Sequence, residues 1–267
     1  MIPKAPTRQA KSASRCSSDT IFFFPRIGGK SALSPRLIEK FPKDNSFDTY
    51  VEPFCGSAQT FLRYCPLTPK RMVLNDLDPE ISSMWSDVKR SSIGALQKMD
   101  WTGSKDRFQS MKANNEWKYL TPSHRLFRNM YLSLYSFAGD RDSGYMEKGC
   151  VRGRGFLKTL PLLKRKMKNV SVHNQSFQDV IRTYDSPTTF FYLDPPYFEK
   201  EHLYGGRHVD PSELATWCKA IRGRFLLSYN DHPHVRLCFR QFHIRTIPTT
   251  YSASKNCRTR ELLISNY

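Results

Sequence analysis

The chain has 267 residues, 39% hydrophobic, 13% aromatic and 25% charged, enough to bury a sizeable core and too aromatic for disorder throughout. Lys plus Arg number 42 against 24 Asp plus Glu, a formal net charge of +18, which makes a polyanion the leading class of partner. The longest apolar runs, such as Ile21 to Phe24, fall far short of the roughly 20 residues a membrane helix needs, so no membrane partner is expected.

Residues 1–18 are rich in Ser, Lys and Arg and are expected to form a flexible basic arm. The same composition suits an organellar transit peptide, but no amphipathic apolar face accompanies it. From Tyr50 onward, short apolar or β-branched runs alternate with helical patterns, the signature of a mostly parallel sheet covered by helices. The expected strands are Tyr50 to Pro53, Arg71 to Asn75, Val170 to His173, Thr189 to Leu193, Arg224 to Tyr229, His243 to Ile247 and Glu261 to Ser265. Helix starts are marked at Asp78, Thr121 and Asp210, each followed by proline, with Glu213 in capping-box position after Asp210.

Charge is concentrated in the middle. Between Lys105 and Val170 there are 15 Lys or Arg against five acids, over half of the total excess. Phe127, Met130, Tyr131 and Leu134 share one face of a helical pattern. The stretch Gly139 to Phe156 holds five of the 13 glycines together with Arg141, Lys148, Arg152 and Arg154, and reads as a loop or hairpin.

The strongest chemical signal is Asp194-Pro195-Pro196-Tyr197 after the apolar run Thr189 to Leu193. Two prolines fix φ and forbid ladder hydrogen bonds, so an acid and a ring are held just beyond a strand's carboxyl end, where ligands of α/β sheets sit. The chemistry suited to this arrangement is methyl transfer to an exocyclic amino group. An adenine amino nitrogen delocalises its lone pair into the ring; a carboxylate and a backbone carbonyl accepting its two N–H groups would localise that pair and aim it at an electrophilic methyl. Asp194 and the Pro195 carbonyl suit those roles, and Tyr197 offers a face on which an extruded base could stack.

Tyr50 to Ala58 runs from a strand into a small-residue turn that could admit a cofactor backbone, and Asp76 lies 20 residues after Gly56, about the offset at which an acid reaches ribose hydroxyls. Arg26 to Ser31 is not a phosphate loop, because Phe24 stands where a Walker A motif needs glycine. Its glycine pair could wrap a cofactor with Lys30 donating to a carboxylate, or form a helix-entry turn with a solvated Lys. Seven cysteines form no CxxC pair, so no metal is expected, and their odd count without a secretory signal fits a reducing compartment. Pro233 separates His232 from His234 and no third ligand is near in sequence, so these read as loop residues.

The order Gly28-Gly29-Lys30, then Glu52-Pro53-Phe54-Cys55-Gly56, then Asn75-Asp76, then Asp194-Pro195-Pro196-Tyr197 resembles the Dam-type DNA N6-adenine methyltransferases, the alpha group of amino-methyltransferases. The likeness runs from about Phe22 to the C-terminus and includes Leu227-Ser228-Tyr229-Asn230 and the ending Glu261 to Tyr267. It implies an α/β fold: a Rossmann-like S-adenosylmethionine-dependent methyltransferase core over 19–104 and 171–267, with a mainly helical DNA-recognition insertion over 105–170. By the same resemblance Lys30 and Arg26 contact the methionine end of the cofactor, Asp76 the ribose, Phe54 and Gly56 the pocket, and Asp194 both cofactor and target. Two positions depart from the family: Arg26 stands where an aromatic residue is common, and Ala58 replaces the second glycine of Phe-x-Gly-x-Gly. The expected activity is methylation of adenine N6 in a specific double-stranded DNA sequence, by a monomer in the cytoplasm of a prokaryote or of a virus's host. An RNA adenine methyltransferase and a DNA-binding relative without catalysis are the alternatives. In the insertion, Gly139 to Phe156 is expected to read bases, with Arg141, Arg152 or Arg154 pairing with guanine and Lys148 also binding DNA, while Lys164, Lys166 and the neighbouring Lys112, Lys118, Arg125 and Arg165 hold phosphates.

Overall fold

The computed structural model describes residues 23–26, 28–43, 46–64, 70–140, 143–147, 150–200, 208–250 and 258–267, without the side chains of 138, 150–154, 250 and 258. The basic arm, Arg141 and Lys148 lie outside the described residues, as do the side chains of Arg152 and Arg154.

Strands β1 (Thr49–Glu52), β2 (Arg71–Asn75), β3 (Val170–His173), β4 (Thr189–Leu193), β5 (Arg224–Asn230), β6 (His243–Thr250) and β7 (Arg258–Ser265) form one sheet in the order β3-β2-β1-β4-β5-β7-β6. Neighbours are parallel from β3 to β5, and β7 runs antiparallel to both β5 and β6. Each expected strand is present. The last two are longer than expected because Pro248 to Thr250 pair with Arg258 to Arg260; Pro248 is tolerated because β6 is an edge strand, where a missing N–H breaks no central ladder.

Period-two alternation assigns the side chains to two cores. Tyr50, Leu74, Phe190, Tyr192, Leu226 and Leu263 face one side and join Phe23, Phe24 and Trp85. Val51, Val73, Phe191, Leu193, Leu227, Leu262 and Ile264 face the other. Every residue of β1 and β4 is buried, as expected of central parallel strands covered on both faces.

The helices are α1 (Ser34–Ile38), α2 (Gln59–Arg63), α3 (Pro79–Arg90), α4 (Ile93–Lys98), α5 (Lys105–Ala113), α6 (Pro122–Leu134), α7 (Cys150–Met167), α8 (Phe177–Tyr184), α9 (Pro211–Ala220) and α10 (Pro233–Cys238). Asp78, Thr121 and Asp210 cap α3, α6 and α9 as expected, each accepting backbone N–H bonds of the first turn. His232 and His234 belong to a helix start rather than a loop: His232 caps α10 by accepting the His234 N–H.

The stretch Gly139 to Phe156 is not all loop. Ser136 and Tyr145 form an antiparallel bridge, but α7 begins at Cys150 and carries Arg152 and Arg154 on helical backbone. Phe156, Leu160, Leu163 and Met167 are buried at helical spacing, and that burial overrides the poor helix propensity of Gly153, Gly155 and Pro161. The same core takes in Phe108, Phe127, Met130, Tyr131 and Leu134. Phe156 packs 5.7 Å from Phe23 and 5.9 Å from Trp101, ring centre to ring centre. The hydrophobic core therefore runs without a break from the sheet into the helices of 105–170.

Candidate active site

The chain leaves β1 toward β2 on one side and β4 toward β5 on the other, so the carboxyl ends of β1 and β4 flank a switch point where α/β sheets open a crevice. A crevice of about 840 Å³, counted to its open mouth, lies there, lined among others by Arg26, Lys30, Phe54, Gly56, Asp76 and Asp194. All six residues expected to hold the cofactor thus meet in one place, although they come from four separate stretches of chain.

At one end Gly56 has φ +46°. Its N–H donates to Asp76 Oδ2 at 2.9 Å, its carbonyl accepts Trp85 Nε1 at 2.8 Å, and Asp76 Oδ1 accepts the Asp78 N–H at 2.9 Å. Burial raises the pKa of Asp76 while the Arg26 charge opposes the rise. Arg26 lies over Gly56, where a Cβ would come within 3.5 Å of its Cδ, and its guanidinium is 3.6 Å from Asp78 Oδ2. Ala58, which the resemblance set in place of a glycine, takes the left-handed conformation at φ 44°. The backbone path glycine would give is therefore kept.

At the other end Asp194 Oδ1 receives the Lys30 ammonium at 2.7 Å and the Ser228 hydroxyl at 2.9 Å. Both bonds converge on Oδ1, and the side chain keeps 19% exposure into the crevice. Lys30 also reaches the Tyr197 hydroxyl at 2.8 Å and Glu261 Oε1 at 3.3 Å. The two cations expected together at the methionine end thus part: Lys30 turns to Asp194, Arg26 to Asp78. Burial raises the Asp194 pKa, Lys30 lowers it and Glu261 raises it again. Asn230 fixes the next turn by accepting the Phe198 N–H and donating to the Phe198 carbonyl, both at 3.1 Å.

Tyr197 departs from expectation. Its ring is 7% exposed and stacked on Tyr229 at 6.1 Å, and its hydroxyl donates to Glu261. No face of it is turned to the crevice for a base. Lys164 and Lys166 also depart: Lys164 Nζ donates to the carbonyls of Val88, Lys89 and Ser91 at the end of α3, and Lys166 Nζ to those of Leu62 and Tyr64 at the end of α2. These ammoniums close helix ends instead of reaching toward phosphate. Burial pushes the Lys166 pKa down to about 8. Arg125 is likewise engaged, forked on the buried Asp87 at 2.6 and 2.7 Å.

Sequence reasoning missed Ser228, Asn230 and Glu261 as parts of the site. Each lay in a stretch already noted, Ser228 and Asn230 in Leu227 to Asn230 and Glu261 as a charge at the head of the apolar run Leu262 to Ile264, but none was given a role. Glu52 also lines the crevice; burial pushes its carboxyl up to about 8 despite a 2.6 Å bond from the Tyr50 hydroxyl. Among the described residues no group of three His, Cys, Asp or Glu side chains could hold a metal ion, and no helix is long and apolar enough to cross a membrane.

The wound sheet, with its switch-point crevice and the acid beyond β4, defines a Rossmann-like α/β fold with a ligand site. Residues 27–253 match the model of the D12 class N6 adenine-specific DNA methyltransferases, and the chain belongs to that family. It is an enzyme that methylates adenine in DNA with S-adenosylmethionine as methyl donor. It is 24% identical over 225 residues to the Type II methyltransferase M.CviBI of Paramecium bursaria Chlorella virus NC1A, covering 75% of this chain and 79% of that protein. Among solved structures it is similar to the rRNA methyltransferase aviRa from Streptomyces viridochromogenes (TM-score 0.39, 11% identity, 94% and 88% of the two chains). It is similar also to the putative methyltransferase yhhF from Escherichia coli (TM-score 0.39, 10% identity, 89% and 83%).

Proposed function

We propose that this enzyme methylates adenine N6 within a specific sequence of double-stranded DNA, with Asp194 and the Pro195 carbonyl accepting the target amino group's two N–H bonds. The observation that carries this reading is the Asp194 carboxylate at the crevice wall, with Lys30 and Ser228 both on Oδ1. An acceptor fixed on one oxygen cannot rotate away, so little reorganisation is needed when the amino group arrives. The amino nitrogen is then presented to the crevice with its lone pair localised.

The crevice fits the methyl donor. Gly28 and Gly56 both have positive φ, which lets backbone approach a ligand closely. Phe54 and Leu77 supply apolar walls, and the acids Glu52, Asp76 and Asp194 line it together with the cations Arg26 and Lys30, a donor set suited to a ligand with an amino-acid end, a ribose and a base. S-adenosylmethionine supplies an electrophilic sulfonium methyl when bound. We assign its ribose to Asp76, its base side to Phe54 and Leu77, and its close backbone contact to Gly56, with Arg26 at the Asp76 end and Lys30 at the Asp194 end. Because an amino group inside a duplex is out of reach, the target base must be extruded. The prolines 195 and 196 hold the chain rigid where it arrives.

We assign base reading to the stretch 139–156, with Arg141, Lys148, Arg152 and Arg154 as its cations. Phosphate contact belongs to basic residues other than Lys164 and Lys166. Tritiated methyl incorporation into duplex DNA, single-stranded DNA and RNA tests the substrate, and long-read sequencing of DNA from cells expressing the protein reports base and context. Methyl incorporation confined to RNA would overturn the reading. An Asp194→Ala protein should lose turnover while its melt still shifts with the donor, by about 2.7 kcal/mol at a hundredfold excess over Kd.

A further inference from the structure

We propose that Glu261, on β7, is a positioning residue for methyl transfer: its carboxylate, shared between the Lys30 ammonium and the Tyr197 hydroxyl, sets the orientation and charge of the Asp194 carboxylate. The inference rests on the reading of Asp194 as the acceptor of the target amino group.

Glu261 is wholly buried. A buried charge persists only where partners answer it. Two of its partners are neighbours of Asp194: Tyr197, three residues further along the chain, donates its hydroxyl to Oε1, and Lys30 Nζ stands 3.3 Å from the same oxygen. Pairing of β7 with β5 sets Glu261 opposite Asn230, which clamps Phe198 just after the tetrapeptide. Glu261 thus reaches the site from the antiparallel strand and meets Asp194 through the Lys30 ammonium they share.

One ammonium lies between two carboxylates, at 2.7 Å from Asp194 and 3.3 Å from Glu261. While Glu261 is present the lysine's charge is divided, and Asp194 keeps enough negative charge to accept an N–H bond strongly. Without it the whole attraction falls on Asp194, and the buried Tyr197 hydroxyl must turn to another acceptor beside it. Charged and titratable groups facing Asp194 are Lys30 from the N-terminal stretch, Glu261 from β7, Glu52 from β1, and Tyr192 from β4. The Glu261 charge raises the Asp194 pKa, and Lys30 lowers it.

The experiment measures kcat and KM on full-length protein, with tritiated S-adenosylmethionine and DNA lacking adenine methylation, from pH 5 to 9, for wild type, Glu261→Gln, Glu261→Asp and Asp194→Ala. Glu261→Gln should lower kcat about tenfold or more with little change in KM for the donor. Its acid limb should move to lower pH, because one negative charge facing Asp194 has gone. Glu261→Asp keeps the charge, so its acid limb should stay at the wild-type position while kcat is partly recovered. Wild-type kcat in Glu261→Gln, or a loss of kcat with an unmoved limb, overturns the proposal, the second outcome marking a structural role alone. If Glu261→Gln does not fold, Glu261→Asp decides: reduced kcat with a wild-type limb supports the proposal, and full kcat overturns it. An active Asp194→Ala would overturn the acceptor reading itself; an inactive one beside a wild-type-like Glu261→Gln would overturn only the role given to Glu261.

Discussion

Asn230 holds Phe198 by both of its backbone groups, accepting its N–H and donating to its carbonyl at 3.1 Å each. The amide thereby replaces a piece of β ladder just where Pro195 and Pro196 have interrupted it. Asn230→Ala should cost about 1–3 kcal/mol in a denaturant melt, and it should reduce kcat more than donor affinity, since the loop it releases carries Asp194 and not Asp76. Isothermal titration with S-adenosylmethionine beside single-turnover methylation checks the split. Loss of donor affinity equal to the loss of kcat would contradict it.

Glu52 makes the fold sensitive to pH. Burial pushes its carboxyl up to about 8, so above the carboxylate range of the unfolded chain the folded state holds a proton that the unfolded state has released. Stability from this group is complete at low pH and is lost as pH rises through about 8, by on the order of 5 kcal/mol at most. Glu52→Gln, neutral at every pH, removes that loss. Melts at pH 5, 6.5 and 8 should show the variant gaining on wild type as pH rises, and parallel curves would refute the account.

Gly139 joins the basic stretch to the cofactor crevice. It has φ +79°, and a Cβ there would stand 2.0 Å from the Pro25 carbonyl oxygen and 3.0 Å from the Arg26 N. Since the obstacle is backbone, Gly139→Ala must push the Phe137–Gly139 turn and the Pro25 to Arg26 segment apart. The expected result is a loss of about 2 kcal/mol or more in stability, with a raised Kd for S-adenosylmethionine because Arg26 lines the crevice. An unchanged donor Kd would show that the two are not coupled.

Lys164 closes the end of α3 through three carbonyls. Lys164→Ala should therefore lower stability by about 1–2 kcal/mol, as expected for losing charge-assisted bonds at a partly exposed site. The slope of DNA affinity against salt should stay within error of wild type. A slope reduced by about one unit would restore it as a phosphate contact.

Strands and helix starts could be read from the chain because local rules settle them. Apolar runs ended by Asp76, Asn174 and Asp194 gave the expected β2, β3 and β4 end for end, and Asp78-Pro79, Thr121-Pro122 and Asp210-Pro211 marked caps whose side chains satisfy first-turn N–H groups whatever lies far away. The crevice residues Arg26, Lys30, Phe54, Gly56, Asp76 and Asp194 were legible for a related reason: each lies in a short motif at or near a strand end or a glycine turn, and strand order alone brings those ends together. What the tertiary structure decided is where long side chains terminate. Lys164 and Lys166 differ little in sequence from solvated lysines, yet packing of α7 against α2 and α3 brings their ammoniums to unpaired carbonyls. Tyr197 could have faced a base, but the pairing of β7 with β5 sets Glu261 beside it and turns its hydroxyl inward. Helical spacing of Phe156, Leu160 and Leu163 overrode the glycines that suggested a loop, because burial against Phe23 and Trp101 is available only once the sheet has formed.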